Sequence, residues 1–346
     1  MTSARIPERL GLFTRLVRSS ADEDAATVFR HALEQIAAAE RLGFETAWVA
    51  QHHLEPDEGG LPSPLVFLAH VAARFPGLRL GTAIVTLALE DPIRVAEDAS
   101  VLDTLASGRL ELGFGAGGSG HAFDLFGVPG AERQRVYADK LDRVRAALSG
   151  APLLGARRLN PPGGTLPQRL WQATFSVSGA ERAGAAGDGL LLSKAQPRAA
   201  AAPDATLSQL QEPMVDAYLA ALPAGAVPRI GASRGVFVAD DRETAQTLAE
   251  RGATRHLAWQ RRNGGGPERA DTVAEVLRDC YVGTPDDVAE QVAADTVLGR
   301  ATELMIQVHP VDPGHEATLR SVELFATEVV PRLGRPMPGT VTTGTL

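Results

Sequence analysis

The sequence has 346 residues, of which 44% are hydrophobic and 22% charged, as in an ordinary soluble globular protein. Its net charge of −8, without a long basic run, argues against nucleic acid as a partner. The single cysteine, Cys280, excludes an intramolecular disulfide framework and favours a reducing cytoplasm. No apolar run approaches the ~18–20 residues of a membrane span, and the first residues lack the apolar core of a signal peptide.

Short apolar stretches alternate along the chain with amphipathic ones. The apolar stretches predict strands at Leu10–Leu16, Glu45–Ala50, Leu78–Leu87, Arg109–Gly115, Leu170–Phe175, Gly189–Ser193, Arg229–Val238 and Glu303–Val308. Apolar residues at helical spacing predict helices at Ala25–Leu42, Ser63–Phe75, Asp91–Ala106, Arg133–Leu148, Gly179–Ala186, Ser208–Leu222, Arg242–Trp259, Pro285–Leu298 and His315–Leu333. Ser63 and Asp91, each followed by proline, are predicted N-caps.

Eight such strand–helix repeats imply a parallel sheet, and their number suits an α/β fold of the (β/α)8 TIM barrel type. An open, doubly wound sheet is the alternative, because spacing alone does not show closure. Insertions are expected in the C-terminal half, where Ala151–Gln168 is rich in Pro and Gly and Gln260–Arg269 is typical of an exposed loop. A single domain is expected over residues 9–333, with tails at 1–8 and 334–346.

Residues 113–120, GFGAGGSG, follow the fourth predicted strand and match G-x-G-x-x-G in two registers. A dinucleotide-binding turn needs a helix directly after the glycines and an acidic residue at the end of the next strand. Here no helix is expected before about Ala131, and Asp139 falls inside a predicted helix. The glycines therefore fit better as the fourth βα-loop of a barrel, where a flat ring or a phosphate approaches the backbone, or as a loop without a ligand.

Four stretches together carry a resemblance to a known family. They are ETAWVAQHH (45–53) with the LEPDEGGLPSP that follows, LGTAIVTLALEDPIR (80–94), the glycine loop and VGTPDDV (282–288). They resemble the bacterial luciferase-like flavin-dependent monooxygenase family over roughly residues 9–333, most closely over 43–119. The resemblance implies a (β/α)8 barrel, often a homodimer, that binds reduced FMN or the deazaflavin F420 at its C-terminal mouth.

The resemblance also implies an activity. Reduced FMN would react with O₂ to give a C4a-peroxyflavin that oxidises a small organic substrate, and a separate NAD(P)H-dependent flavin reductase would supply the FMNH₂. The alternatives are an F420-dependent oxidoreductase of the same superfamily and a non-catalytic flavin-binding relative. No metal is expected, since the neighbouring histidines lack the i, i+4 spacing of a helical zinc site. Loops 54–62, 121–132, 151–168 and 260–275 are expected to shape the substrate site.

The resemblance places His52 and His53 near the reactive edge of the flavin. His52 would donate a proton or a hydrogen bond there, and His53 would support the geometry. The usual family form is Glu-His-His, whereas this chain has Gln51 in place of the carboxylate. Gln51 is therefore expected to alter the tautomer or the pKa of the adjacent histidine.

The other implied cofactor contacts lie at strand ends and helix starts: Ala83 and Ile84, joined by a non-prolyl cis peptide, Thr86, Gly115, Ala116, Gly117, Tyr137, Ser176, Ser178, Gly179, Ser193 and Lys194. Many relatives carry an arginine where this chain has Ala116, so Lys194 or Arg198 is expected to neutralise the flavin phosphate. Structural alternatives are N-capping for Ser176, a core position for Tyr137 and solvated loop charges for the two cations.

Overall fold

The structure is a computed structural model that describes residues 6–118, 120–263, 269–335 and 337. Its strands are β1 (Arg9–Thr14), β2 (Thr46–Val49), β3 (Arg79–Thr82), β4 (Val85–Thr86), β5 (Leu110–Gly115), β6 (Leu170–Ala173), β7 (Gly189–Leu192), β8 (Ile230–Val238), β9 (Cys280–Gly283) and β10 (Glu303–Gln307). All of the strand pairs are parallel.

Eight of these strands close into a barrel. They follow the order β10-β1-β2-β3-β5-β6-β7-β8, and β8 pairs with β10 to complete the ring. The two additional strands extend this ring, since β4 pairs with β5 beyond the end of β3 and β9 pairs with the last residues of β8. The predicted (β/α)8 TIM barrel is confirmed, and the open sheet is excluded.

The helices surround the barrel. They are α1 (Ala25–Arg41), α2 (Pro64–Arg74), α3 (Pro92–Leu105), α4 (Gly120–Leu125), α5 (Arg133–Leu148), α6 (Val177–Ala185), α7 (Leu207–Ala221), α8 (Arg242–Asn263), α9 (Val273–Leu277), α10 (Pro285–Ala294), α11 (His315–Leu324) and α12 (Val330–Arg332). A π-helical turn, Phe325–Val329, joins the last two. Asp91 caps α3 as predicted, whereas Ser63 precedes α2 without a side-chain capping bond. None of the described helices is both long and apolar enough to span a membrane.

Three predictions of local structure were wrong. The third strand is not continuous, because β3 ends at Thr82 and a cis peptide separates it from β4. The short helix α4 begins at Gly120, earlier than the sequence suggested, and it buries Phe123 in the core. Helix α8 continues to Asn263 with Gln260 buried, so the expected exposed loop is helical at its start, and its residues 264–268 lie outside the described residues.

Two tryptophans fill the barrel interior. Trp48 and Trp171 meet edge to face with ring centroids 5.6 Å apart. Gly81 and Gly189 make room for them, because a Cβ atom at either position would collide with an indole ring. The indole N–H groups donate to the buried carboxylates of Glu303 and Glu111, at 2.6 and 2.7 Å. The residues packed with this pair also line a cavity at the carboxyl ends of the strands: Phe13, Ala50, Ala83, Ile84, Ala173, Leu191 and Met305.

Candidate active site

A cavity of about 680 Å³ opens at the carboxyl ends of the barrel strands. This is the face on which TIM barrels carry their active sites, and the volume is in the range of small-molecule and cofactor sites. The sequence-predicted residues that line it are His52, His53, Ala83, Ile84, Thr86, Gly115, Ala116, Gly117, Tyr137, Ser176, Gly179, Ser193 and Lys194. Ser178 is not in the lining, although its hydroxyl lies 3.3 Å from that of Ser176.

One predicted phosphate ligand lies elsewhere. The Arg198 guanidinium binds both carboxylate oxygens of Asp279, at 2.6 and 3.0 Å, and does not line the cavity. A bidentate pair of this kind occupies most of the donors of an arginine. Arg198 is therefore removed from the candidate set. Lys194, which follows the end of β7, is buried, lines the cavity and stays in the set.

The two histidines lie in the loop that follows β2, which stops at Val49, and both line the cavity. The Arg15 Nη2 atom lies 2.9 Å from His52 Nε2. Because a guanidinium can only donate, the imidazole nitrogen accepts and the ring is neutral. Burial lowers the pKa of His52 well below its ordinary value, and the Arg15 charge lowers it further.

His53, like His52, has one ring nitrogen without a hydrogen-bond partner among the described residues. Its Nε2 is buried and makes no hydrogen bond to any described residue. The ring packs edge-on against Phe126, with centroids 4.9 Å apart. Burial lowers the pKa of His53, and the Glu90 carboxylate partly opposes that shift. A neutral imidazole with a free nitrogen can exchange a hydrogen bond or a proton with a bound molecule.

The Gln51 side chain makes no hydrogen bond to the histidine that follows it. Its Nε2 donates to Glu90 Oε1 at 2.6 Å and to the Pro62 carbonyl at 3.0 Å, and its Oε1 accepts the Thr86 N–H at 2.7 Å. All of its side-chain hydrogen bonds thus go to the residues after β3 and to the loop before α2. Gln51 has no hydrogen bond through which it would set the tautomer of His52.

One wall of the cavity consists largely of backbone. Ala83 and Ile84 are joined by a non-prolyl cis peptide, as predicted, and face the glycine loop. A Cβ at Gly115 would lie 3.1 Å from the Ile84 side chain, and Gly117 has a φ of +77°. Gly113, in contrast, serves the barrel, because a Cβ there would collide with the Thr82 carbonyl. The wall is accessible to a flat ring, but only part of the glycine pattern faces the cavity.

A cluster of donors lines the cavity at the start of α6, which follows β6, the neighbour of β5 in the barrel. Ser176 Oγ accepts the Gly179 N–H at 3.1 Å, and the Thr174 hydroxyl lies 3.3 Å from it. Arg133 of α5 and Arg182 of α6 line the same cavity, and neither has a carboxylate partner among the described residues. A helix N-terminus with two such cations is a strong anion site. Sequence analysis missed both arginines, although Arg133 lies one helical turn before Tyr137.

The remaining predicted contacts have mixed surroundings. Tyr137 is buried on α5, and its hydroxyl donates to Gln172 at 3.3 Å, so it is both a core residue and a part of the wall. Burial raises the pKa of this phenol above its ordinary value.

Ser193, another predicted contact, follows the end of β7, and its Oγ accepts the Ala195 N–H at 3.4 Å. Of the four loops expected to shape the substrate site, 151–168 supplies none of the described lining residues.

Two other chemistries find no support in the described part of the chain. No group of His, Cys, Asp and Glu there could hold a metal ion. Residues 231–235, GASRG, match the G-x-S-x-G motif of hydrolases, but they lie inside β8. Ser233 is therefore not at the strand-to-helix turn that a hydrolase nucleophile requires.

Sequence comparison identifies related proteins. The model of the family described as luciferase-like monooxygenase matches residues 9–302. The chain is 30% identical over 323 residues to 4-hydroxyprotoasukamycin monooxygenase of Streptomyces nodosus subsp. asukaensis, which covers 87% of this chain and 85% of that protein. It is 40% identical over 120 residues to the uncharacterized protein y4vJ of Sinorhizobium fredii, and this alignment spans only 34% of that relative and 35% of this chain.

Solved structures share the fold. The monooxygenase RslO1 from Streptomyces bottropensis superposes with a TM-score of 0.75 at 25% identity, covering 93% of this chain and 99% of that one. A type II Baeyer–Villiger monooxygenase from Pseudomonas putida, in complex with FMN, gives 0.72 at 19% identity, over 94% and 99% of the two chains. An F420-dependent reductase from Methanopyrus kandleri gives 0.62 at 17%, over 95% and 100%. The extent of the family match and the full-length relative establish that this chain belongs to the luciferase-like monooxygenase family.

Proposed function

We propose that the protein is a flavin-dependent monooxygenase that uses reduced FMN and O₂ to oxidise a small organic substrate. The observation that carries the proposal is that one cavity of about 680 Å³ combines a wall made largely of backbone with an anion site at the start of α6. FMN needs both, since it joins a planar ring to a phosphate. Bound reduced FMN would supply the electrons that activate O₂.

The phosphate would be held at the start of α6. Ser176 and the free N–H groups of the first helical turn provide hydrogen-bond donors, and Arg133 and Arg182 provide positive charge. These two arginines would neutralise the phosphate, as the resemblance implies that an arginine at position 116 does in many relatives. The positive charge at the phosphate would then come from α5 and α6 rather than from the glycine loop, where Ala116 stands.

The ring would lie along the wall formed by Ala83, Ile84 and Gly115. Thr86 and Ser193 lie at the cavity edge, where hydroxyl groups can bind ring heteroatoms. The unpartnered Nε2 of His53 offers a neutral acid–base group at the same mouth. The protein's contribution is then to orient the ring and the substrate, to exclude water and to hold a proton at His53.

An F420-dependent oxidoreductase is the second candidate, because a neighbour with this fold is F420-dependent. The FMN proposal is preferred because the relative that matches 87% of this chain is a monooxygenase, and a monooxygenase with this fold is in complex with FMN. Anaerobic titration with FMNH₂ and with reduced F420 tests cofactor choice. Incorporation of ¹⁸O from ¹⁸O₂ into product tests oxygenation. Tighter binding of F420 and a product without ¹⁸O would overturn the proposal, and a protein that binds FMNH₂ without turnover would be the non-catalytic relative.

The partners follow from the same proposal. A separate NAD(P)H-dependent flavin reductase would deliver FMNH₂, and the chain would act as a homodimer. Adding a purified reductase with NADPH to the protein should start O₂ consumption coupled to product. Size-exclusion chromatography with light scattering measures the oligomeric state.

A further inference from the structure

Arg15 lies in the cavity wall just after β1 and is held by two neighbours. Its Nη2 donates to His52 Nε2 at 2.9 Å, and its Nε donates to the Glu58 carbonyl at 3.1 Å. The Glu58 carboxylate adds an ion pair at 3.7 Å. The remaining nitrogen, Nη1, makes no hydrogen bond to any described residue, and the Arg15 side chain is 12% exposed and lines the cavity. A guanidinium fixed on two sides thus keeps one charged donor available.

Neither nitrogen of His52 is available to a bound molecule. Nε2 is occupied by Arg15, which fixes it as the acceptor and places the proton on Nδ1. Nδ1 is buried without a partner among the described residues, and it faces Gly59, where a Cβ atom would collide with it. A proton donor to the flavin or the substrate needs an accessible N–H. His52 does not have one in this arrangement.

We propose that His52 is a positioning residue that holds Arg15, and that Arg15 Nη1 binds an oxyanion of the substrate, such as a carboxylate or a phenolate. The assignment of Arg15 as the group that binds the substrate oxyanion rests on the proposed function. A charged, pre-oriented guanidinium favours an anionic oxygen over a neutral one, because the hydrogen bond is charge-assisted.

The first experiment observes the His52 imidazole in the flavin-free protein. Labelling with ¹⁵N-histidine and long-range ¹H–¹⁵N correlation identify the protonated ring nitrogen. We expect Nε2 to stay unprotonated from about pH 8 down to about pH 5.5, through the range in which an exposed histidine titrates. Burial lowers the pKa of His52 most, and the charges of Arg15, His309 and His53 lower it further, while the Glu58 carboxylate faces Nε2 at 3.8 Å. In the Arg15→Gln variant the pKa of His52 should rise. A proton on Nε2 in the wild type, or an unchanged His52 in R15Q, would overturn the proposal.

The second experiment measures binding of benzoate, a simple oxyanion, against benzamide, its neutral counterpart. We expect wild-type protein to prefer benzoate and R15Q to lose about tenfold or more of the benzoate affinity, the size of one charge-assisted hydrogen bond. R94Q, which removes an exposed arginine of α3, is the control for net charge. If the wild type does not prefer benzoate, or if R15Q binds benzoate as tightly as the wild type does, Arg15 does not bind the substrate oxyanion.

Two substitutions of His52 separate positioning from proton transfer. Glutamine places a carbonyl oxygen near the position of Nε2 and can still accept from Arg15, whereas asparagine reaches only as far as Nδ1. We expect H52Q to keep benzoate affinity within about twofold and H52N to resemble R15Q. In the oxygenation assay, H52Q should retain the pH profile. Loss of activity in H52Q as complete as in H52A would show that His52 is a proton donor. Since the NMR and benzoate experiments need no flavin, failure of the proposed function would leave their outcomes interpretable.

Discussion

Gln51 ties the residues after β2 to those after β3, because its Oε1 accepts the backbone N–H of Thr86 at 2.7 Å. Its Nε2 donates to the Glu90 carboxylate at 2.6 Å, which completes a buried chain from one strand end to the next. The family's more usual glutamate could not make the second bond, since two carboxylates would then face each other. The amide of Gln51 therefore serves as a hydrogen-bond donor to Glu90, and not as a partner of the histidine that follows it.

Gln51→Glu is expected to lower the free energy of unfolding at neutral pH by about 1–3 kcal/mol, because a buried donor is lost and two like charges meet. Chemical denaturation at pH 7 measures the loss. The double variant Q51E/E90Q restores a donor and an acceptor in exchanged positions, and it should recover most of the stability. If Q51E alone is as stable as the wild type, the Gln51–Glu90 contact is not a stability determinant.

Arg182→Gln and Arg133→Gln are each expected to weaken FMN binding by about tenfold or more, because a charge-assisted hydrogen bond to phosphate is lost. Riboflavin, which has no phosphate, should bind the wild type and both variants alike. Isothermal titration with the two flavins gives the comparison. Arg135→Gln is the matched control. Arg135 lies on α5, as Arg133 does, but it is exposed and pairs with Glu132 and Asp139. Equal losses for FMN and riboflavin would place the arginines away from the phosphate.

The glycines of residues 113–120 are expected to respond differently to alanine. Gly113→Ala should destabilise the barrel by about 1–3 kcal/mol or more, because the new Cβ meets the Thr82 carbonyl. Gly117→Ala should also destabilise it, since φ is +77° and the Cβ would meet Thr86. Gly120→Ala is the control, as its Cβ would enter open space. Thermal denaturation of the three variants measures their order of stability. If G113A is as stable as the wild type, the barrel relaxes to accommodate the new Cβ.

Asp295→Asn is expected to lower the free energy of unfolding at pH 7 by about 3–5 kcal/mol, because Arg234 would be left as an unpaired buried charge. The Arg234 Nε lies 2.7 Å from the carboxylate, which also accepts from Tyr281 and Ser208. Burial works to raise the pKa of Asp295, but the Arg234 charge and these hydrogen bonds outweigh it and hold the pKa below 3.8.

The pH dependence of this pair has a definite sign. A carboxyl group whose folded pKa is depressed stabilises the fold above its unfolded pKa, and this contribution is lost as the pH falls through the folded value. The difference in stability between wild type and D295N should therefore be complete at neutral pH and shrink below about pH 4, the unfolded value of an aspartate. Urea denaturation across this range tests it, and a constant difference would exclude the ion pair as the cause.

The alternation of strand and helix along the chain, and with it the barrel, could be predicted because periodicity and Pro or Gly at element ends are local signals. Helix α5, Arg133–Leu148, has the predicted bounds, and Asp91 caps α3 as expected. The errors arose where tertiary contacts override local preference. Burial of Phe123 stabilises α4 despite its glycine-rich approach, and burial of Gln260 lets α8 continue beyond Trp259.

The sequence by itself determined which strand ends form the barrel mouth, because parallel strands bring their carboxyl ends to one face. Only the tertiary structure decided which side chains meet there. Arg15 reaches His52 from another strand, and Arg133 and Arg182 join one cavity from different helices. Side-chain partners across elements depend on distances between distant segments, which a single sequence does not encode locally. The missing charge at Ala116 could therefore be noticed in the sequence, but the arginines that can replace it became visible only in the fold.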